Sequence, residues 1–152
     1  YDALKSLEKL EMKMYIAVNR LKEGLKLAKK YEGDLENLDS IQYRSEIKLC
    51  QNIQDTINIL LDHFFGKKDE RQGIIMHSDK TLMSRYSQAF SYTSNASHAP
   101  MSTEHNLISK FESVLFQVLD NINKFYEKDW SNFRTTIEQL SLNPFKDYKK
   151  IE

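Results

Sequence analysis

Arg71 and His77 are the residues of this chain whose types call first for a chemical test: histidine is the commonest general base, and arginine stabilises developing negative charge. Here Gly73 lies between them and the flanking residues keep no helical period, so the local pattern is that of a loop. Two-residue motifs recur by chance, and the pair is carried only as an alternative reading.

The other chemically capable residues read as structure. The histidines are His63, His77, His98 and His105; none pairs with another at helical i, i+4 spacing and none stands beside a cysteine pair. Metal sites in helical bundles draw on Glu-x-x-His motifs from facing helices, and no such motif occurs. No metal or cofactor is therefore expected. Cys50 lies on an apolar helical seam, the setting of a buried thiol that behaves as a small hydrophobe. Phe125, Tyr126, Trp130 and Phe133 could stack on a base or a sugar, but their helical spacing reads as bundle core. Asn95-Ala96-Ser97 is a formal glycosylation sequon whose meaning depends on a secreted eukaryotic source. The sequence has no glycine-rich phosphate loop and no Ser/His/Asp arrangement.

Composition bounds the function classes further. The chain has 152 residues, the length of one domain with a real core. Its 22 basic residues balance 22 acidic ones, so no net field draws it to nucleic acid or to an anionic membrane. No stretch of about 20 apolar residues is present to span a bilayer. The lone cysteine rules out an internal disulfide, which suits the cytoplasm and also exported bacterial proteins that use none. The chain begins at Tyr1, already in helical pattern, as a piece excised from a larger protein would.

The elements that must position these residues are helices. The strongest period lies between Ser102 and Leu140. Ile108, Phe111, Leu115, Val118, Ile122 and Phe125 step by 3 or 4, and Tyr126, Trp130, Phe133, Ile137 and Leu140 do so again. The seam slips by one position between Phe125 and Tyr126, which predicts a kink or short break and hence helices over 103–127 and 129–141. Ser102 is the expected N-cap of the first of these. Near the N-terminus, Leu4, Leu7, Met14, Val18, Leu21, Leu25 and Ala28 give a helix over 2–31, interrupted on its seam by Glu11 and ended by Gly33. Gly24 falls inside it, either as a close contact or merely tolerated. A second helix over 39–65 should open at Asp39 with a capping box to Gln42, carry Tyr43, Ile47, Cys50, Ile53, Ile57, Leu60 and Phe64, and end at Gly66. Residues 67–101 break the pattern. Within them Leu82, Met83, Tyr86 and Phe90 predict a short helix near 79–90. Tyr86, Phe90 and Tyr92 are the candidate interaction aromatics of that stretch. The fold class is all-α: an antiparallel bundle of three long helices and a short C-terminal one, with a long, partly ordered connection between the second and third.

Two resemblances follow from these residues. An arginine followed by a histidine, as at Arg71 and His77, resembles the signature of the helical ribonucleases called HEPN domains, which place the pair at a helix start in a bundle; the resemblance implies His77 as general base on a ribose 2′-hydroxyl and Arg71 as the group that stabilises the phosphorane charge. Separately, Leu82-Met83-Ser84-Arg85-Tyr86, then Pro100 with Ser102-Thr103, then Leu119-Asp120-Asn121-Ile122-Asn123 and Asp129-Trp130-Ser131-Asn132-Phe133 resemble a larger pattern. It is that of the helical C-terminal region of exported Bacteroidetes proteins with sortilin-like, BNR-repeat β-propellers, often labelled glycosyl hydrolases. Pro100 is followed by Met101-Ser102 rather than directly by threonine, a departure from that pattern.

That second resemblance implies a non-catalytic accessory domain whose partners are the propellers of its parent chain or another protein. Self-association is compatible with it, and any hydrolase activity would belong to other domains. It implies a periplasmic or extracellular location, where the cytoplasm would otherwise be expected. The alternatives are a HEPN-like ribonuclease or toxin–antitoxin component, and a bundle that senses a small ligand.

Overall fold

The computed structural model describes residues 2–69, 74–76, 81–95, 101–142, 145 and 147–152. Five helices dominate: α1 (Asp2–Asp39), α2 (Arg44–Phe65), α3 (Leu82–Ser94), α4 (Met101–Phe125) and α5 (Ser131–Glu138). A π-helical turn, Tyr126–Trp130, joins α4 to α5. Between α2 and α3 stand two short strands, β1 (Lys67–Asp69) and β2 (Ile74–Met76), paired antiparallel with Lys68 opposite Ile75. The all-α bundle expected from the sequence is the architecture observed.

Length decides how the helices are laid out. At about 1.5 Å per residue, the 38 residues of α1 span about 57 Å, whereas the 22 of α2 span about 33 Å. One α2 therefore cannot cover α1. Its contacts show which part it takes: Glu32 of α1 accepts hydrogen bonds from Gln51 and Gln54, and Lys22 lies over the Phe65 ring. α3 takes the rest, with the Tyr86 hydroxyl donating to Glu11 at 2.8 Å and the Tyr86 ring against Phe111 of α4. α2 and α3 together thus form the descending arm of an up-down-up bundle. The last arm, α4 to α5, ascends beside α1: Lys13 meets Phe116 low in the bundle and Gly24 meets Trp130 higher up.

The core runs the length of this arrangement. Leu7, Leu21 and Leu35 of α1, Ile57 and Phe64 of α2, Leu82 of α3, Phe111 and Leu115 of α4 and Phe133 of α5 are all essentially excluded from solvent. The α2 seam is buried as its spacing predicts, with Tyr43 at its edge. On α1 the buried set is wider than expected. Leu10, Ala17, Gly24 and Leu35 join it, while Leu4 and Leu25 remain half-buried.

Several boundaries differ from the sequence reading. α1 does not stop at Gly33; it continues to Asp39 because Leu35 extends the buried seam and Glu32 is bonded to α2. Among the described residues the glycine with positive φ is Gly66, at 84°, after α2. Asp39 does not open α2. It ends α1, and its Oδ1 accepts the Ile41 and Gln42 N–H groups at 3.1 and 2.9 Å, closing the turn before α2 starts at Arg44. The short helix begins and ends later than 79–90, with Thr81 as its N-cap accepting the Ser84 N–H at 3.1 Å. α4 opens at Met101, so Ser102 is its second residue and not its cap.

No break separates 103–127 from 129–141. Phe125 and Ser131, either side of the π turn, keep right-handed helical backbone angles. A π turn closes i to i+5 and so holds one more residue than an α turn. Phe125 to Trp130 is such a five-residue step, and it returns Trp130 to the face that Phe125 occupies. The slip in the seam is that extra residue.

Candidate functional site

The residues singled out from the sequence fall in different places. Arg71 and His77 lie outside the described residues, as does His98. His63 and His105 are exposed on α2 and α4. Among the described residues no group of histidine, cysteine and carboxylate side chains is placed to hold a metal. Cys50 is fully buried, and burial first, then the Glu32 carboxylate, push its thiol up to about 11. It is held as a neutral thiol in the core.

Of the three candidate aromatics, Tyr86 and Phe90 come together, one helical turn apart, with ring centroids 5.9 Å from each other. Tyr86 is half-buried and Phe90 exposed. Burial, and then the hydrogen bond to Glu11, raise the Tyr86 hydroxyl to about 12, so it remains a donor at neutral pH. Its role is to tie α3 to α1. Tyr92 is half-buried and departs from the Tyr86–Phe90 stripe by two residues, which places it on another face of α3.

A hollow built from several elements lies elsewhere, between α1 and the π turn. It is an open cleft of about 340 Å³ lined by Arg20, Glu23, Gly24 and Leu27 from α1 and by Asn123, Tyr126 and Trp130. Gly24 makes this approach feasible. A Cβ there would stand 3.2–3.3 Å from the Trp130 ring and 3.3 Å from Ile57 Cδ1, inside ordinary contact. Trp130 packs in turn on Phe133 at 5.2 Å and meets Tyr126 edge-on at 5.7 Å. The aromatic cluster is core on its inner side, as expected, and wall of the cleft on its outer side.

The electrostatics of the cleft are mixed. The Tyr126 hydroxyl is shielded from solvent and has no hydrogen-bond partner among the described residues. Leaving such a group unpaired costs about 1–3 kcal/mol. Burial raises its pKa; the Arg20 charge opposes that shift and the Glu23 charge adds to it. A narrower hollow of about 170 Å³ continues down the same seam past Lys13, Ile16 and Leu119. At the far end of the α1–α2 hairpin a wider depression is lined by Glu36, Arg44, Lys48 and Gln51, all of them exposed.

The sequence did not single out Arg20 or Glu23, and the spacing of Tyr126 read as core. Two signals pointed to the cleft: a glycine inside a strong helix, and a seam that slips by one residue. Both mark a place where regular packing is interrupted.

No protein-family model, no curated protein sequence and no solved structure matches the chain. No helix among the described residues is long and apolar enough to cross a membrane.

Proposed function

We propose that this chain is a non-catalytic accessory domain that docks, through the outer face of α1, on the propeller domains of an exported parent protein or on another protein. One observation carries the reading. Met12, Tyr15 and Ile16 project from α1 with 65%, 67% and 47% of their surface exposed, and Phe116 of α4 is 43% exposed. Tyr15 stands three residues from Met12 on α1, and Ile16 is the one that borders α4. Met12 and Ile16 are one turn apart, Lys13 between them sits 5.0 Å from the Phe116 ring, and Ile16 shares its hollow with Leu119, the next turn of α4. Single exposed apolar residues are ordinary on a protein surface; a group of them spanning two helices is the mark of a surface that another protein covers.

The sequence resemblance supplies the context of an exported propeller protein, and the docking face is what such a domain needs. The test is the denatured intact mass of the native protein, captured from its source with an antibody to this domain. A mass several times 17.9 kDa is expected. In that full-length protein, a photocrosslinker at Tyr15 should then join α1 to another domain or to a partner. A native mass near 17.9 kDa would overturn the propeller context. A crosslinker that reacts only with water would overturn the docking face.

A further inference from the structure

The cleft between α1 and the π turn holds groups that the docking face does not use, and it bears on the ligand-sensing alternative rather than on the accessory reading. Arg20 and Glu23 stand three residues apart on α1 and both line it. Neither is in an ion pair among the described residues. Asn123 adds an amide that both donates and accepts, and Tyr126 adds a hydroxyl with no partner. Leu27 and the Trp130 ring, which packs on Gly24, supply apolar lining. We propose that this cleft binds a free α-amino acid with an apolar side chain. Arg20 and the Tyr126 O–H receive the carboxylate, Glu23 receives the ammonium, and the side chain lies along Leu27 and Trp130.

The pairing of charges selects the class. A simple carboxylate at Arg20 would also meet the like charge of Glu23, and a simple amine at Glu23 the like charge of Arg20. A zwitterion satisfies both. A residue within a peptide chain offers neither charge. The volume of about 340 Å³ lies at the small end of the range of roughly 300–1,000 Å³ for ligand sites. The Tyr126 hydroxyl is shielded by its neighbours, so the ligand reaches it by displacing a flexible wall. Among the residues lining the cleft, Arg20 is long and exposed, and it is the side chain whose movement opens the way. The π turn is what brings Tyr126 and Trp130 to one cleft, a placement in keeping with the frequency of such turns at functional sites.

Trp130 is the only tryptophan in the chain, so its fluorescence reports on the cleft alone. L-leucine and L-phenylalanine should change its emission saturably, with a Kd of about 1 mM or tighter. N-acetyl-L-phenylalanine amide, 3-phenylpropionate and phenethylamine, which lack one or both charges, should bind about tenfold more weakly or worse. Arg20→Gln, a surface change, should weaken L-phenylalanine binding by about tenfold, and Tyr126→Phe by about three- to tenfold, both with unaltered circular dichroism. The proposal fails if neither amino acid gives a saturable change up to about 50 mM. It fails equally if the capped amide binds as well as L-phenylalanine, or if Arg20→Gln leaves binding unchanged.

Discussion

Gly24 and Gly33 share one helix and differ in surroundings. Nothing lies within 4 Å of a Cβ built at Gly33, whereas one at Gly24 meets Trp130 and Ile57 at once. Helix propensity favours alanine over glycine by about 1 kcal/mol at either position. At Gly33 that gain stands alone, so Gly33→Ala should raise stability by about 0.5–1 kcal/mol in urea denaturation. At Gly24 the ring and the isoleucine close from two sides, and overpacking of about 1–3 kcal/mol outweighs the gain. Gly24→Ala should therefore lower stability, by about 1 kcal/mol; a rise equal to that of Gly33→Ala would show that Trp130 is free to retreat. Cys50 makes a different prediction, in pH. Its thiol is raised from the ordinary 9.0 to about 11, so the folded chain holds its proton more tightly than the unfolded one does. Stability from this group is full below pH 9 and is lost between pH 9 and about 11, where only the unfolded thiol ionises. The loss is on the order of 2 kcal/mol. Unfolding measured across that range should show the decline, and Cys50→Ala should remove the part that begins at pH 9. Tyr86 and Tyr126 are shifted in the same direction and leave a residual decline above pH 10.

Among the elements, the join between α4 and α5 separates two explanations of a slipped seam. A kinked helix would use the slip to change direction. The observed π turn instead absorbs one extra residue and keeps both halves on one core face, with Phe125 and Phe133 each buried. Lys128 lies in the π turn and is exposed. Deleting it should convert the turn to an α turn, with Phe125, Trp130 and Phe133 in regular register. The fold should survive within about 1 kcal/mol by thermal denaturation. Deleting exposed Ser113 within α4 should instead turn the following residues by about 100° and cost about 3 kcal/mol or more, because Val118, Ile122 and Phe125 could no longer face the core together with Ile108 and Phe111. If both deletions cost the same, the π turn is not where the extra residue resides. The short α3 makes a related point about elements. Alone, its 13 residues are too few for a stable helix in water. Docking of Leu82 and Ala89 in the core, the Thr81 cap and the Tyr86–Glu11 bond hold it in place.

For the whole molecule, the all-α class and the buried seams of α2 and α4 were legible because a period of 3 to 4 in apolar residues is a direct record of one buried helix face. The absence of a membrane-spanning helix among the described residues was legible for the same reason. The end of α1 was not. Gly33 is an adequate stop signal by itself, and it is overruled by Leu35 and by the bonds of Glu32 to Gln51 and Gln54, partners far along the chain. Nor was the division of the descending arm legible, since it depends on α2 being too short for α1 and on α3 meeting Glu11 across a long gap in sequence. The cleft belongs with these. Arg20, Glu23, Tyr126 and Trp130 each look ordinary where they stand in the sequence, and only the parallel course of α1 and α4 sets them together. Local patterning thus determined which faces are buried, because burial is written at spacings of three and four residues. Which helix lies beside which, where each one ends and what stands opposite Gly24 were decided by contacts between distant residues, whose energies no local spacing records.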